Sequence, residues 1–423
     1  MSTDDRYDAI ILGAGQAGMP LSRALAGAGW TVALVEREHL GGSCINEGCT
    51  PTKTMVASAE VAYLVKRAAD YGVRTEDVHV DMATVRQRKR DIVHSFRSSN
   101  QRRIGSTENL DLLMGEGRFV EAHTVEVALN TGGSRRIAAV VGGGYVGVEF
   151  GQMFRRFGSQ VTIVQRGEQL LSHEDADVAG AVADILTEDG VEVLLGADVT
   201  HAALAEGGRI ELTFEDGDGQ RAVSGSHLLV ATGRRPNSDG LNLEAAGIET
   251  DGRGHIKVNG RLETNVPGVY ALGDVKGGPA FTHISYDDYR IVRANLLDGG
   301  DASIEGRMVP YVVFIDPQLG RVGLTEKEAR ARGQAYRLAR MPMDYVARAL
   351  ELDRPRGMMK ALVDPETDQI LGAAILGVEG GEIMAIVEVA MMGQLPYTAL
   401  RDGIFTHPTL SESLNTLFSS FEE

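Results

Sequence analysis

The sequence predicts an α/β chain built on two copies of one nucleotide-binding βαβ unit, followed by a separate α+β domain. Three observations predict it. The stretch DAIILGAGQAGMPLSRALAGAGWTVALVE, Asp8–Glu36, returns as IAAVVGGGYVGVEFGQMFRRFGSQVTIVQ, Ile137–Gln165. Each copy runs as apolar strand, glycine turn, helix, glycine stop and second apolar strand. From Pro310 onward, strands and helices alternate without another glycine motif, which sets that segment apart.

The glycine turns come first. Gly13, Gly15 and Gly18 form one GxGxxG, and Gly142, Gly144 and Gly147 form the other. Glycines at these places allow a tight turn and let the backbone approach a pyrophosphate at the helix N-terminus. The first copy ends on Glu36, where a carboxylate can hydrogen-bond ribose hydroxyls. The same offset in the second copy gives Gln165, followed by Arg166. No carboxylate is there to repel a 2′-phosphate, and a guanidinium is available to pair with one. The first site is expected to take an adenosine with free ribose hydroxyls. The second is expected to favour NADPH or to accept both nicotinamides.

The intervening elements follow from pattern. Lys53 to about Arg103 carries a helical polar–apolar period, and Leu110–Ile137 suggests short antiparallel strands with a turn at Thr131-Gly132-Gly133. After the second copy come a helix near Asp177–Gly190, strands ending at Leu229–Gly233, and the stretch TNVPGVYALGD ending at Asp274.

The only two cysteines, Cys44 and Cys49, lie in GGSCINEGCTPTK just after the first copy. In an intracellular chain such a pair is more often catalytic than structural. At a helix start, this offset lets both sulfurs reach one small volume. One thiol can then attack a substrate while the other resolves it.

Composition excludes several classes. With 423 residues, 43% of them hydrophobic, the chain can build several cores. A net charge of −17 argues against non-specific binding of nucleic acid or acidic membranes. The start MSTDDRYDAI has no basic stretch leading into an apolar one, and no apolar run is long enough to span a bilayer. No membrane association and a cytoplasmic, reducing setting are expected.

Six ordered motifs resemble the class I pyridine nucleotide–disulfide oxidoreductases: GAGQAG, GGSCINEGCTPTK, GGGYVGVE, ATGRRPN, TNVPGVYALGD and FTHPTLSE. The C-terminal third looks most like the mercuric reductase branch, near reductases linked to oxidant stress. The resemblance implies two Rossmann-like nucleotide-binding domains, for FAD and NAD(P), plus a C-terminal α+β dimerisation domain. The implied layout is 1–137 and 259–305 for FAD, 138–258 for NAD(P), and 306–423 for the interface. It implies a homodimer with shared active sites acting on a small molecule or metal ion.

Residue by residue, the resemblance implies that Cys44 meets the substrate and Cys49 lies against the flavin. Gly13, Gly15, Gly18 and Glu36 would hold the ADP part of FAD, with Gly42, Ser43 and Lys53 nearer the flavin. Gly117 would contact adenine and Asp274 the ribityl chain. Gly142, Gly144, Gly147, Gln165, Arg166 and Gly233 would line the nicotinamide nucleotide site. Lys53 and Glu149 match an ion pair beside the flavin ring, where a cation stabilises charge on the reduced ring. His407 and Glu412 match the HPxxxE element, with the histidine as acid and base for the interchange thiol. No resident metal is implied.

The chain departs from the pattern twice. It lacks the extra cysteine pair with which mercuric reductases receive their metal. Also, Arg135–Ala139 runs directly into Val140-Val141-Gly142, where the family has a first ATG strand and a linker. One strand of the FAD sheet is therefore expected to be missing, leaving an open edge. Alternatives are a nucleotide-binding remnant or redox sensor, or a lipoamide or glutathione disulfide reductase.

Overall fold

The computed structural model describes residues 6–76, 78–129 and 140–422. The expected turn at Thr131-Gly132-Gly133 and the joint at Arg135–Ala139 lie outside the described residues. The chain divides into two compact units: Met1–Met55, Asp81–Arg135 and Arg234–Arg307 in one, Val56–Val80, Arg136–Gly233 and Met308–Glu423 in the other.

In the first unit, β1 (Ala9–Leu12) runs parallel to β2 (Val32–Glu36), and β2 runs parallel to β3 (Leu110–Glu121). The chain then reverses at residues 122–123 into β4 (Thr124–Leu129), antiparallel to β3. All five residues of β2 are buried, as expected for an apolar strand with a neighbour on each side. By contrast, β1 has only β2 beside it among the described residues, and Ile10 is exposed. This is the open edge that the shortened joint predicts.

Helix α1 (Gly18–Gly27) packs Leu21 and Leu25 onto Val32 of the sheet. On the same core lies α7 (Thr282–Leu297), through Ile291 and Val292. The short α2 (Gly42–Asn46) leads into α3 (Cys49–Lys66), whose first turns belong to this unit. Helix α4 (Met82–Gly105) starts at Asp81, whose carboxylate accepts the Ala83 amide at 2.8 Å. Residues 234–258, read from sequence as nucleotide domain, belong to this unit instead. Leu243, Ala246, Ile248 and Ile256 need apolar cover, and they find it against Ala271 and Phe119.

In the second unit, β5 (Val140–Val141) lies parallel to β11 (Leu229–Val230). Helix α5 (Tyr145–Arg156) follows the glycine turn, and β6 (Val161–Val164) pairs in parallel with β7 (Val191–Leu194). Helix α6 (Ala176–Glu188) buries Val178, Val182, Ile185 and Leu186. The strands β8 (Asp198–Leu204), β9 (Ile210–Asp216) and β10 (Gly219–Gly225) form an antiparallel sheet in the order β10-β9-β8.

The C-terminal part is a five-stranded antiparallel sheet, in the order β12-β13-β16-β15-β14. Its strands are β12 (Tyr311–Val313), β13 (Gln318–Gly323), β14 (Arg337–Pro342), β15 (Met358–Val363) and β16 (Ile370–Gly377). Helix α8 (Glu326–Arg332) follows β13 and starts on a capping box at Thr325. Helices α9 (Ala347–Glu351), α10 (Gly380–Met392), α11 (Thr398–Arg401) and α12 (Ser413–Leu417) complete the domain, with Ile383, Met384 and Val387 of α10 against the sheet.

Asp175, Asp177 and Glu326 cluster at the spacing of a cation site. The cation there is the buried Lys360 ammonium, 3.1 Å from Asp175 and 2.9 Å from Asp177, and also paired with Glu326. Removing that lysine would leave several charges unpaired, at a cost of about 3–5 kcal/mol.

Candidate active site

The two cysteines sit on separate helices, not on one continuous helix. Gly41 (φ +105°) and Gly42 (φ +61°) turn the chain into α2, which carries Cys44. A Cβ on Gly42 would lie 2.8 Å from the Gly15 Cα, so this turn fits against the first glycine loop only as glycine. The Asn46 amide locks α2 by donating to Gly42 O at 2.8 Å. The helix then breaks at Glu47-Gly48, where a Cβ on Gly48 would meet Ser43 O at 2.9 Å. Cys49 opens α3 after this break.

The break brings the sulfurs together. The Thr282 hydroxyl, first residue of α7, donates to Cys44 Sγ at 3.0 Å and lies 3.3 Å from Cys49 Sγ. The two side chains share a hydrogen bond. That bond from Cys44 lowers the Cys49 pKa to about 5, against the opposing effect of burial, with help from Thr282 and the Lys53 ammonium. The same bond, with burial, drives the Cys44 pKa far upward. Within the pair, the shared hydrogen bond favours the charged form at Cys49 and the protonated form at Cys44.

The first glycine loop has the shape of a pyrophosphate cradle. A Cβ on Gly18 would sit 2.0 Å from Gly13 O, so the helix can start there only as glycine. The space at Gly13 and Gly15 is open. Glu36 is buried, and its carboxylate accepts the Ala14 amide at 2.9 Å and the Glu38 amide at 2.8 Å. The residues present therefore fit a dinucleotide.

The second loop repeats the geometry with another acceptor. A Cβ on Gly147 would sit 1.8 Å from Gly142 O, and Gly144 faces open space. The Gln165 side-chain oxygen accepts the Gly143 amide at 3.0 Å, the place that Glu36 fills in the first copy. Arg166 is exposed beside it, and Gly233 has φ +132° just after β11.

The remaining residues fall as follows. Asp274 pairs with Arg234 at 3.0 Å, and the amide of the preceding Gly273 donates to the fully buried Asp288 at 2.8 Å. Gly117 has a packing reason, since a Cβ there would lie 2.8 Å from Leu12 Cδ2. Ser43 is an exposed residue of α2. Lys53 and Glu149 belong to different compact units, and buried Glu149 accepts the Phe314 amide at 2.9 Å. His407 Nδ1 lies 2.8 Å from Glu412, and its ring is exposed.

A family profile for pyridine nucleotide–disulphide oxidoreductases matches residues 7–288, and a profile for the dimerisation domain of that family matches 309–418. The chain belongs to the pyridine nucleotide–disulfide oxidoreductase family. It is a flavin-dependent enzyme of that class, and the family is FAD- and NAD(P)H-dependent.

Among its family members, the probable pyridine nucleotide-disulfide oxidoreductase RclA of Escherichia coli is 38% identical, over 98% of this chain and 99% of that protein. A mercuric reductase of Lysinibacillus sphaericus is 31% identical, over 99% and 83%. The solved Cu(II) complex of the HOCl-induced flavoprotein disulfide reductase RclA from Escherichia coli superposes with a TM-score of 0.86, at 38% identity over 97% and 99% of the two chains. The RclA alignment runs over 459 positions although this chain has 423 residues, in keeping with a segment missing here.

Sequence reasoning missed Thr282. It is more than two hundred residues from the cysteines, and the Gly277-Gly278 pair just before it marks a turn rather than a thiol site. Its one signal is position, as the first residue of the helix after the ALGD stretch.

Proposed function

We propose that this enzyme spends NAD(P)H to reduce a small oxidised substrate at Cys44, with Cys49 facing the flavin. The observation that carries this reading is the Thr282 hydroxyl within bonding distance of both sulfurs, beside an asymmetric thiolate–thiol pair. Bound FAD would supply hydride acceptance from the nicotinamide and a two-electron link to the cysteines.

The chain's own residues supply position and protons. Gly13, Gly15 and Gly18 would seat the FAD pyrophosphate, Glu36 the adenosine ribose and Asp274 the ribityl chain, with Gly42, Ser43 and Lys53 nearer the ring and Gly117 near adenine. Gly142, Gly144, Gly147 and Gly233 would seat the nicotinamide nucleotide. Gln165 and Arg166 favour NADPH, because an amide and a guanidinium replace the carboxylate. Glu149 would hold Lys53 in place. Thr282 stabilises whichever sulfur carries the charge.

His407 would move the proton of Cys44. Glu412 fixes the ring through Nδ1, leaving Nε2 as the working nitrogen. In a homodimer with shared sites, that histidine would serve the partner's cysteine pair. The setting that keeps both thiols reducible is cytoplasmic. Among the described residues, no helix is long and apolar enough to cross a membrane.

The acceptor is a small oxidised species or a metal ion. Copper(II) is worth testing because an RclA structure is its Cu(II) complex. Anaerobic NADPH titration followed by turnover with disulfides, quinones, Cu(II) and Hg(II) tests the reading. NADPH oxidation that requires Cys44 supports it. Oxidation that survives Cys44→Ser with every acceptor contradicts it. The one-sided β1 favours a second reading, a flavin-poor remnant that binds nucleotide without turnover. A protein that purifies colourless and cannot take up FAD favours that remnant.

A further inference from the structure

Helix α7 carries a stripe of buried residues: Ile284, Asp288, Ile291 and Val292. Three are apolar, and the fourth is an acid with no exposure to solvent. A carboxylate in such a place costs desolvation unless its oxygens are partnered. Both are. Asp288 Oδ1 accepts from Arg307 at 2.7 Å. Asp288 Oδ2 accepts the Gly273 amide at 2.8 Å and lies 3.2 Å from the Lys276 ammonium, whose side chain is 4% exposed. Arg307 also reaches Asp287 at 3.3 Å, so the two cations face two acids. All of these residues belong to the first compact unit.

A buried ion cluster is a poor way to stabilise a core, since well-packed apolar groups do as well or better. The reason for this one lies in what it grips. Gly273 and Lys276 are the first and last residues of the 3₁₀ turn Gly273–Lys276. Asp288 therefore pins both ends of that turn with one oxygen. Between the ends stands Asp274, which is exposed. Gly273 holds φ +74°, and a Cβ there would lie 3.1 Å from the Oγ of Ser285, one helical turn before Asp288. The turn is seated along α7 by backbone and side chain alike.

We propose that Asp288 is a positioning residue for the flavin, holding the Gly273–Lys276 turn in its binding shape before the cofactor arrives. This rests on the reading that Asp274 meets the ribityl chain, and deepens it by naming what sets Asp274 in place. Where a binding turn is formed in only a fraction of molecules, affinity falls by that fraction. Asp288 keeps the fraction near one. The same helix presents Thr282 to both sulfurs, so the grip on Gly273 ties the flavin turn to the element that touches the cysteines.

The decisive variant removes the grip without leaving a lone charge buried. Asp288→Leu combined with Lys276→Met deletes one anion and one cation, and leaves Arg307 paired with Asp287. Thermal unfolding of the FAD-free double variant is expected to match the wild type or exceed it. Its FAD affinity, read from flavin fluorescence as FAD is titrated into FAD-free protein, is expected to fall about tenfold or more. Full FAD affinity in the folded double variant overturns the proposal. Lys360→Met breaks a buried ion cluster in the other unit and is the control for stability alone. It is expected to unfold at lower temperature with unchanged FAD affinity, and an equal loss of affinity there overturns the proposal. Amide exchange needs no variant and decides the matter even if the double variant does not fold. The Gly273 amide of the FAD-free wild type is expected to exchange far more slowly than an open-chain amide, and exchange at the open-chain rate overturns the proposal. Asp274→Ala separates the two levels. Unchanged FAD affinity in Asp274→Ala sinks the reading of Asp274 and the proposal with it. Weakened binding in Asp274→Ala beside full affinity in the double variant sinks the proposal alone.

Discussion

The two glycine loops share a backbone and differ in what stands beside it. Ala14 gives its amide to Glu36, and Gly143 gives its amide to Gln165. In the second copy, β11 lies beside β5, so a Cβ on Gly142 would strike Ala231 O at 2.5 Å. In the first copy no strand lies on that side of β1 among the described residues, and a Cβ on Gly13 would meet nothing within 4 Å. The loop itself therefore needs only its local glycines. The neighbouring strand adds a separate constraint, and the first copy lacks it.

That difference can be broken at matched positions. Gly142→Ala combines a positive φ with a backbone clash, so it should cost about 3 kcal/mol or more. Gly13→Ala carries only backbone strain, about 1–2 kcal/mol. Urea unfolding of the FAD-free variants measures both, and equal costs would mean that β1 has a neighbour after all. The acceptor swap comes next. Gln165→Glu places a carboxylate where a 2′-phosphate would lie, so the ratio of kcat/KM for NADPH over NADH should fall by about tenfold or more, roughly 1.4 kcal/mol. An unchanged ratio would remove Gln165 from nucleotide choice.

The sulfur pair responds to pH in a definite direction. With its pKa lowered to about 5, Cys49 stays ionised at neutral pH and loses its charge only as pH falls through that value. An ordinary thiol loses it below about pH 8.5. Thr282→Val removes the hydroxyl that lies 3.3 Å from the Cys49 sulfur and favours its charged form, and should raise the midpoint by about one pH unit. The pH profile of iodoacetamide alkylation at Cys49 reads this shift, and an unmoved midpoint would deny Thr282 its part. The smallest effect is expected at the open edge. Ile10→Thr should change stability by no more than about 0.5 kcal/mol, because that side chain already meets solvent. A larger loss in thermal unfolding would show that the edge is covered.

The glycine loops, the cysteine pair and HPxxxE were legible because each is a local pattern with a local physical cause. The open edge was legible too, since a strand missing from sequence cannot appear beside β1. Three features were not. The reversal after β3 falls at Ala122-His123, without glycine or proline, while Gly132-Gly133 offered the stronger turn signal. Residues 234–258 joined the first unit through apolar cover by Phe119, a contact between distant parts of the chain. Thr282 reaches the sulfurs only because α7 starts where the core places it.

Turnover requires that the shortened first copy still hold flavin next to Cys49. The most direct measurement is the absorbance spectrum of the freshly purified protein before and after anaerobic NADPH. The expected result is a yellow protein that bleaches and gains the long-wavelength absorbance of a thiolate beside the flavin, lost in Cys49→Ser. A colourless protein that cannot be reconstituted with FAD would contradict it.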